Sequence, residues 1–368
     1  MKIGIMTFHA APNHGAVLQA FALQTQLQKM GHEPYFINYQ RGIPLQRGLL
    51  GWIGSTPSNM LHKINTKMKR KPFSLFQREN LIIGDKEYLD HIQLHNDPPL
   101  ADAYICGSDQ IWNPIQINLE KDEHAFWLDF GNAKILHIAY AASFGTPKLS
   151  DQIIKKYTLY AKKFNAISVR EKSAVDIVEK LEGPSATWVP DPTLLLSQNE
   201  YRRVETQLGG RPKPFLFSYQ IESKKKPLAL AAQINNFLCN EFNLSLYESL
   251  SLSFQYNILH NRYIGPGEWL AKLRQSSFVF TNSFHATVFS LLFQRPFIVL
   301  FRTGATAGLN NRIGSLLDLV GLQHRAVTEF DSGNIKKLYQ EEIDWSSTDS
   351  KIYEFRKIGL QFLDDALK

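Results

Sequence analysis

A histidine that comes soon after a buried apolar run is the strongest candidate for acid–base chemistry in this sequence. The run Phe278–Thr281 is followed by Asn282 and Ser283, and His285 stands two residues further on. An imidazole gains and loses a proton near neutral pH, which makes it a common general acid or base. The alternative is a histidine kept for packing at the start of a helix. We expect His285 to be catalytic, and Asn282 and Ser283 to contact the substrate.

Three arginines either follow predicted strands or begin the helix after one. Arg170 and Arg302 come at strand ends, and Arg312 begins a predicted helix. The planar guanidinium group can donate paired hydrogen bonds to a carboxylate or a phosphate. We therefore predict that all three bind an anionic substrate. A surface salt bridge from Arg170 to Glu171 or Asp176 is the structural alternative.

A turn rich in hydrogen-bonding side chains follows Cys106. It contains the polar residues Ser108, Asp109, Gln110 and Asn113, with the aromatic residue Trp112 among them. Aromatic rings offer a flat apolar surface to a sugar, and a few placed polar groups fix its orientation, so this composition indicates a carbohydrate-binding corner. A turn that uses Ser108 and Asp109 as caps explains the same residues equally well.

The turn after the first predicted strand leads into a helix through Asn13, His14 and Gly15. A helix N-terminus presents free N–H groups and the positive end of the helix dipole, which attract an anion or a hydroxyl oxygen. Glycine lets a ligand approach the backbone closely. We predict substrate binding here, and a tight strand-to-helix turn remains the alternative.

These candidates share a position at the ends of predicted strands. Strands predicted over residues 2–8, 34–39, 101–106, 135–139, 166–169 and 187–189 alternate with helical periods, and strands over 214–219, 278–281 and 296–301 follow a junction at 191–213. Such alternation is typical of parallel sheets with right-handed crossovers. Ligands bind beyond the carboxyl ends of strands in such sheets, which is where the candidates lie.

The pattern predicts two doubly wound, Rossmann-like α/β domains that face each other across a cleft. A chain of 368 residues is long enough for two domains. We assign residues 1–195 to an N-terminal domain on the acceptor side, and 196–348 to a C-terminal domain that carries His285. A last helix over 349–368 is expected to pack back on the first domain.

The composition is typical of a globular protein. Apolar residues make up 44%, charged residues 20%, and the net charge is +7. No aromatic–basic stripe accompanies that charge, so we expect no nucleic-acid partner. No apolar stretch reaches the ~18 residues that a membrane span needs. Two cysteines and an N-terminus without a signal sequence indicate a cytoplasmic protein.

No metal ion is expected. His91 and His95 have the spacing of two zinc ligands on a helix, but Ile92 stands where a zinc protease places its glutamate. Two prolines follow shortly afterwards, which argues against a long helix at this place. We interpret the two histidines as a surface pair.

Five basic residues cluster between positions 63 and 71. They are Lys63, Lys67, Lys69, Arg70 and Lys71. A solvated helix face accounts for them. The alternative is a patch that holds the protein peripherally at the inner membrane face, where each basic group contributes ~1 kcal/mol of attraction to anionic lipid.

Six segments in series resemble the polysaccharide pyruvyl transferase family over nearly the whole chain. They are NHGAVLQA (13–20), GSDQIWN (107–113), YAASFG (140–145), SVRE (168–171), DPTLL (191–195) and TNSFH (281–285). The resemblance implies a glycosyltransferase-B-like fold. It also implies transfer of the enolpyruvyl carbons of phosphoenolpyruvate onto two sugar hydroxyls, which forms a ketal and releases phosphate. Phosphoenolpyruvate is then a substrate, and no cofactor is implied.

The resemblance further implies roles for particular residues. His285 matches the catalytic histidine of the family, and Arg170 matches an arginine that binds phosphoenolpyruvate. Some branches carry an arginine two positions before the histidine, where this chain has Ser283. This difference gives Arg170 and Arg312 more weight as anion ligands. Asp109 is placed to orient or deprotonate a hydroxyl of the acceptor, which is a polysaccharide or its precursor, with a lipid-linked one favoured by the basic cluster.

Two other classes of protein remain open from the sequence. A glycosyltransferase that uses a nucleotide sugar needs a carboxylate for the ribose hydroxyls, and Glu268 is the obvious acid in the second half. A non-catalytic carbohydrate-binding relative is the other class, because a fold does not fix a function. The serine at position 283 motivates this second alternative.

Overall fold

Two parallel β-sheets, each layered with helices, form the framework of the protein. The computed structural model describes residues 1–40, 57–115, 122–209, 213–221, 225–250 and 263–368. The strands of the first sheet are β1 (Lys2–Met6), β2 (Glu33–Tyr39), β3 (Ile83–Tyr88), β4 (Ala103–Cys106), β5 (Leu136–Ala142), β6 (Ala166–Val169) and β7 (Ala186–Trp188). Those of the second sheet are β8 (Phe215–Gln220), β9 (Ser245–Leu250), β10 (Phe278–Thr281), β11 (Phe297–Leu300) and β12 (Ala326–Val327).

Helices connect these strands and cover both sheets. In chain order they are α1 (His14–Lys29), α2 (Pro57–Asn80), α3 (His91–Asn96), α4 (Glu123–Phe126), α5 (Asp151–Ala161), α6 (Ser173–Glu179), α7 (Gln198–Val204), α8 (Lys225–Glu241), α9 (Pro266–Gln275), α10 (Phe284–Leu292), α11 (Asn311–Val320), α12 (Ser332–Gln340) and α13 (Trp345–Ala366). Three short 3₁₀ turns cover Pro192–Leu194, Gly304–Asn310 and Gln323–Arg325.

Both sheets have a point where the strand order reverses. The first sheet has the order β3-β2-β1-β4-β5-β6-β7, and the second has β12-β11-β10-β8-β9. The described strand pairs in both sheets are parallel. The reversals fall between β1 and β4 and between β8 and β10, and such a switch point opens a crevice at the carboxyl ends of the strands. The predicted doubly wound architecture of both halves is confirmed.

Burial explains why most of these strands form where they do. All four residues of β4 and all four of β10 are buried, because helices cover both faces of each sheet. β3 differs, since Tyr88 is its one buried residue and it lies at the edge of the first sheet. Continuous apolar runs therefore mark the central strands, and the edge strand lacks such a run.

Helix α1 packs the two halves of the chain against each other. Thirteen of its 16 residues are buried. The ring of Phe21 lies 6.2 Å from that of Tyr201, and Tyr201 lies 4.8 Å from Phe289 in α10. At the start of the helix, His14 stacks on Trp269 of α9 with the ring centroids 5.3 Å apart. The helix is buried on nearly every side because β2, α2, α9 and α10 surround it.

The last helix, α13, lies against the first sheet. Arg356 donates hydrogen bonds to the carbonyls of Leu194 and Leu196 at 2.6 and 3.1 Å. The ring of Phe355 lies 4.6 Å from Trp188 at the end of β7. α13 begins at Trp345, a few residues before the helix start expected from the sequence.

The basic cluster falls on α2. Arg70 and Lys71 are exposed, and Lys69 is partly buried, which lowers the pKa of its ammonium group. The side chains of Lys63 and Lys67 lie outside the described residues. In the part of the chain that the structure describes, no helix combines the length and the apolar character needed to cross a bilayer.

We expect the contact between the two halves to weaken in acid, because His14 cannot take up a proton there. Its Nε2 donates to the carbonyl of Ile264 at 3.1 Å, and its Nδ1 accepts from the Tyr219 hydroxyl at 3.2 Å. Burial lowers the pKa of His14 to about 3. The unfolded chain binds this proton near pH 6.5, so stability falls by up to about 1.4 kcal/mol per pH unit between pH 6 and 4.

Urea unfolding at several pH values between 7 and 4.5 measures this contribution. His14→Gln should flatten the decline, and the control His91→Gln, on short helix α3, should keep the wild-type slope. An equal slope in wild type and His14→Gln would show that His14 does not carry the effect.

Candidate functional site

A buried carboxylate, Asp191, lies at the centre of the site. It follows β7 and is 1% exposed. Its Oδ1 accepts hydrogen bonds from the backbone N–H and the hydroxyl of Thr193, at 3.0 and 2.6 Å. Its Oδ2 accepts from the Ser108 hydroxyl and from Nη1 of Arg170, both at 2.7 Å. Four donors therefore hold this carboxylate in a single orientation.

The surroundings keep Asp191 ionised. Burial by itself raises the pKa of a carboxyl group, because it disfavours the charged form. The neighbouring His285, Arg170 and Thr193 outweigh that effect and hold the pKa of Asp191 well below its usual range. Asp191 is thus a permanent negative charge at neutral pH.

Arg170 ends β6, and its guanidinium group is only partly paired. Beyond Asp191, Nη1 donates to Ser108 at 3.2 Å, and Nη2 lies 3.6 Å from Oδ1 of Asp109. Burial opposes the charge, but Asp191, Asp109 and Glu171 outweigh it and raise the pKa of Arg170. Its Nε and Nη2 are buried and make no hydrogen bond to any described residue. Such unpaired N–H groups favour an incoming anion.

His285 reaches this cluster from the second half of the chain. It lies in the first turn of α10, is 7% exposed, and places Nε2 3.6 Å from Oδ2 of Asp191. Its ring packs directly on the backbone of Gly15, where an added Cβ would overlap Nδ1. Glycine at position 15 therefore makes room for the imidazole, which is a different reason from the anion contact expected from the sequence.

The turn before α10 orients the histidine. Asn282 accepts a hydrogen bond from the backbone N–H of Ile221 at 2.7 Å, which ties the end of β10 to the end of β8. Ser283 is the N-cap of α10, and its hydroxyl accepts from the N–H of Ala286 at 3.4 Å. The side-chain oxygens of Asn282 and Ser283 thus bond to the backbone and fix the direction in which His285 points.

Two guanidinium groups lie over the ring of Phe284. The Cζ atoms of Arg170 and Arg312 are 4.7 and 5.8 Å from its centroid. Burial, followed by repulsion from Arg170, lowers the pKa of Arg312 to about 10, so the group stays charged at neutral pH. Within the described residues, Nε of Arg312 has no hydrogen-bond partner. Next to Arg312, the amide of Asn311 donates to the hydroxyl of Ser173 in the first half.

Arg302 adds positive charge on the side of the second sheet. Its Nη2 donates to the carbonyl of Ile221 at 2.9 Å. Its backbone N–H donates to Oδ1 of Asn310 at 2.9 Å, and its carbonyl accepts from the side-chain amide of Asn310 at 2.8 Å. Arg302 is close enough to Arg312 to contribute to the lowered pKa of that residue.

Asp109 occupies a strained backbone position at the end of β4. Its φ angle of 84° lies in the left-handed region, which costs free energy for a residue other than glycine. Its carbonyl accepts from the N–H of Ser143 at 3.2 Å, and its Oδ1 accepts from the N–H of Gln110 at 2.9 Å. Its side chain is 16% exposed, whereas that of Arg170 is 1% exposed. Asp109 is therefore the accessible carboxylate of the site.

A second buried carboxylate, Glu171, holds the loop that supports Asp109. Its Oε1 accepts from the N–H groups of Phe144 and Gly145 at 3.1 and 3.3 Å. Gly145 has a φ of 65° and packs on the amides of Gln110 and Asn113, which bond to each other at 2.5 Å. The structure thus uses Gln110 and Asn113 to build the turn around Asp109.

The expectation that a sugar stacks on Trp112 is corrected by the structure. Trp112 is fully buried and stacks on Trp127, with ring centroids 4.1 Å apart and planes inclined by 2°. Its indole N–H donates to the carbonyl of Phe126 at 3.2 Å. A sugar would need the ring face and the indole N–H, but Trp127 covers the face and the carbonyl of Phe126 accepts from the N–H.

The turn at 13–15 also differs from its expected role. Asn13 caps α1 by accepting from the N–H of Ala16 at 3.1 Å. His14 points into the contact between the two halves, where Tyr219 and Trp269 enclose it. Neither side chain faces the cluster around Asp191, so the structure gives both a role in positioning α1.

Asp191, Glu171 and Phe284 are site residues to which sequence reasoning assigned no role. Asp191 carried a detectable signal, because it follows a strand end as Asp109 does. Its function depends on burial among Ser108, Arg170 and His285, which come from three separate segments, and no local pattern records that. Phe284 was hidden among many apolar residues for the same reason.

The donor set of the site suits an anion. Three guanidinium groups and an imidazole surround the cluster, and its carboxylates are engaged by protein donors. Across the described ranges, no three His, Cys, Asp or Glu side chains gather closely enough to hold a metal ion. Arg170, Arg302 and Arg312 are the groups able to bind an anionic substrate or cofactor.

The fold is similar to that of several sugar-nucleotide enzymes. A structure titled MnaA of S. aureus with UDP matches with a TM-score of 0.52 and 13% identity, over 96% of this chain and 92% of that one. A putative UDP-N-acetylglucosamine 2-epimerase from Listeria monocytogenes matches with a TM-score of 0.50 and 12% identity, over 97% and 90%. The kitacinnamycin glycotransferase matches with a TM-score of 0.50 and 10% identity, over 100% and 99%. The predicted glycosyltransferase-B-like fold is confirmed.

No curated protein matches the sequence. The chain does match the family described as polysaccharide pyruvyl transferase, over residues 13–300. That range contains Asp109, Arg170, Asp191 and His285. The family expected from the sequence is confirmed: the chain belongs to the polysaccharide pyruvyl transferases.

Proposed function

We propose that the protein transfers the enolpyruvyl group of phosphoenolpyruvate to two hydroxyls of a sugar in a polysaccharide or its precursor, forming a pyruvate ketal. The observation that carries the proposal is the convergence of His285, Arg170 and Arg312 around Phe284 and Asp191. An imidazole for proton transfer thereby lies beside two guanidinium groups with unpaired, buried N–H groups.

Arg170 and Arg312 supply the groups that bind the donor substrate, phosphoenolpyruvate. Phosphoenolpyruvate carries its carboxylate and its phosphate on the same carbon, C2, as two separate anionic groups, so it needs two sets of cationic donors. Arg170 offers Nε and Nη2, and Arg312 offers Nε, all lacking partners in the described part of the chain. Guanidinium groups bind both kinds of anion in paired geometry and stabilise charge on a departing phosphate. Arg302 adds positive potential from the second sheet.

The proton transfers follow from the charges. The imidazolium of His285 gives its proton to C3 of phosphoenolpyruvate, which becomes a methyl group and leaves C2 electron-poor. One acceptor hydroxyl adds to C2 and loses its proton to Asp109. The second hydroxyl adds at C2 as the C2–O bond to phosphate breaks, and its proton restores the imidazolium of His285. Phosphate departs with the bonding pair and takes up the proton held by Asp109. The product carries both sugar oxygens on C2.

Both halves of the chain contribute to this chemistry. Asp109, Arg170 and Asp191 come from segments of the first sheet, whereas His285 and Arg312 come from the second. Arg170, Asp191 and His285 are each less than a tenth exposed. This burial keeps bulk water away from the reacting groups.

No specific observation favours a nucleotide-sugar glycosyltransferase. Glu268, the acid considered for ribose binding, lines a different cavity of about 430 Å³ together with Pro72 and Arg203. The likeness to the solved structures named above is at 10–13% identity and extends to the fold alone.

The exposed surface of α2 supports presentation of the acceptor at an anionic lipid surface. Arg70, Lys71 and Arg78 are exposed there, and Met68 and Leu75 between them are each 46% exposed. A helix with basic and apolar side chains on one exposed stretch is attracted to anionic headgroups and inserts its apolar groups among them. The buried side of α2 reaches the contact between the two halves, since Phe73 lies 4.8 Å from His14.

We expect His285→Asn to lower turnover about 10²–10⁴-fold, because it removes the proton donor but keeps the helix cap and the arginines. Phosphate release from phosphoenolpyruvate with a panel of glycan acceptors, together with the mass gain of a pyruvyl group on the acceptor, measures the reaction. His324→Asn, a partly exposed histidine paired with Glu341, is the control and should keep wild-type turnover. Wild-type protein that releases no phosphate with any acceptor would refute the proposed function.

We expect Arg170→Gln to lower mainly the stability of the protein, and Arg312→Gln to weaken mainly the binding of phosphoenolpyruvate. Without Arg170, Asp191 is left as a buried charge short of its partner, which costs about 3–5 kcal/mol of stability. Arg312 has no such partner, so its loss should cost under about 1 kcal/mol but raise KM for phosphoenolpyruvate at least about tenfold. Thermal unfolding and steady-state kinetics on both variants separate the two effects, and an unchanged KM in Arg312→Gln would exclude it from donor binding.

We expect the triple variant R70E/K71E/R78E to lose affinity for anionic vesicles about a hundredfold, at ~1 kcal/mol per basic group. The matched control K134E/K155E/K180E makes the same charge change at other exposed lysines of the first half. Co-sedimentation with phosphatidylglycerol vesicles and with neutral phosphatidylcholine vesicles measures both. Equal losses in the two triple variants would show that net charge, rather than α2, is responsible.

A further inference from the structure

Asp191 accepts hydrogen bonds from donors in the first half of the chain. Its contact with the second half is His285. Ser108, Arg170 and Thr193, which hold the carboxylate, all lie in the segments around the first sheet. His285 belongs to the second half and comes within 3.6 Å of the same Oδ2. The first half thus fixes the carboxylate, and the second half brings the imidazole to it.

We propose that Asp191 is a positioning residue that holds His285 in its protonated form and in one orientation, so that the histidine is an effective acid. This inference rests on the proposed function for its kinetic consequences. The pairing itself follows from the burial and the distance of the two side chains.

Charged groups around His285 make this partner necessary. On its own helix the neighbouring ring is Phe284, edge-on at 5.2 Å, and α1 contributes Gly15, which carries no charge. Strand β6 contributes Arg170 and α11 contributes Arg312, and both cations oppose a third positive charge.

Two further carboxylates lie in the neighbourhood. Asp109 lies beyond Arg170, 3.6 Å from its Nη2, and Glu171 holds the loop at 144–145. Among the described residues, Asp191 is the carboxylate that comes within 4 Å of the His285 ring. It is therefore the group that offsets both arginines and keeps the imidazolium in place.

The orientation of the ring assigns its two nitrogens. Nε2 is buried and directed at Asp191, and it makes no hydrogen bond to any other part of the described chain. Nδ1 borders the Cα of Gly15, at the start of α1. Both ring nitrogens thus face the first half of the chain, Nε2 towards a carboxylate and Nδ1 towards an uncharged backbone.

A purely structural Asp191 would support Arg170 and Ser108 without acting on the histidine. Asp191→Asn keeps the shape of the side chain and removes its charge, and Glu171→Gln does the same at a second buried carboxylate that lies outside the 4 Å shell of His285. Both changes disturb a buried hydrogen-bond network, so both lower stability. Only the first should change how activity depends on pH.

The experiment compares kcat between pH 6 and 8.5 in wild type, Asp191→Asn and Glu171→Gln, using phosphate release from phosphoenolpyruvate. We expect the loss in Asp191→Asn to be at least about tenfold greater at pH 8 than at pH 6, because the unpaired imidazole gives up its proton earlier. Glu171→Gln should lower kcat by one factor across the range. A single factor across the range in Asp191→Asn as well would overturn the proposal.

A readout independent of activity is the protonated fraction of His285 at pH 7.5, from ¹⁵N chemical shifts of its ring. It should fall at least about threefold in Asp191→Asn. Gly15→Ala is the second variant, should Asp191→Asn not fold: its Cβ displaces the ring while Asp191 and Arg170 are untouched, and the fraction should fall likewise. An unchanged fraction in a folded variant refutes the pairing. A fall in protein that never releases phosphate supports the pairing and refutes the proposed function alone.

Discussion

A buried carboxylate that needs cations from two directions is the constraint on which this structure depends. Leaving Asp191 unpaired in the interior would cost several kcal/mol. Arg170 meets it from β6, and His285 meets it from α10, which belongs to the other sheet. Because these two residues come from different halves, their contacts with Asp191 join two sheets whose strands do not pair with each other. The aromatic packing along α1, with Tyr201 against Phe21 and Phe289, holds the sheets at the distance this arrangement needs.

The close approach of His285 to Gly15 shows how narrow that distance is. Any side chain at position 15 would occupy the space of the imidazole ring. Yet one residue earlier His14 fills the contact between the halves with a stacked, hydrogen-bonded ring. Two neighbouring positions on α1 thus act in opposite ways: the ring of His14 fills the contact between the halves, whereas Gly15 leaves space for the ring of His285. The helix sets the spacing of the halves and, at the same point, admits the proposed acid.

Much of the fold could be predicted because buried parallel strands are continuous apolar runs. The strands at 166–169 and 278–281 were predicted at their observed bounds. β3 was missed because an exposed edge strand, IGDKEY, has no such run. Of the site, His285 and Arg170 were recognisable as polar residues at strand ends. The roles of Trp112 and Asp191 could not be predicted, because they depend on distant residues: Trp127 covers the first, and Ser108 and Arg170 bond to the second.

The serine at position 283 is explained by the same geometry. Its hydroxyl caps α10, and it is 2% exposed, so a long cationic side chain could not occupy its place without uncapping the helix that aims His285. The positive charge that some relatives carry there is supplied in this chain from α11. Arg312 reaches the ring of Phe284, on which Arg170 also lies. The two guanidinium groups are near each other, since repulsion from Arg170 adds to burial in lowering the pKa of Arg312. A donor with two anionic groups is what such a pair is suited to bind.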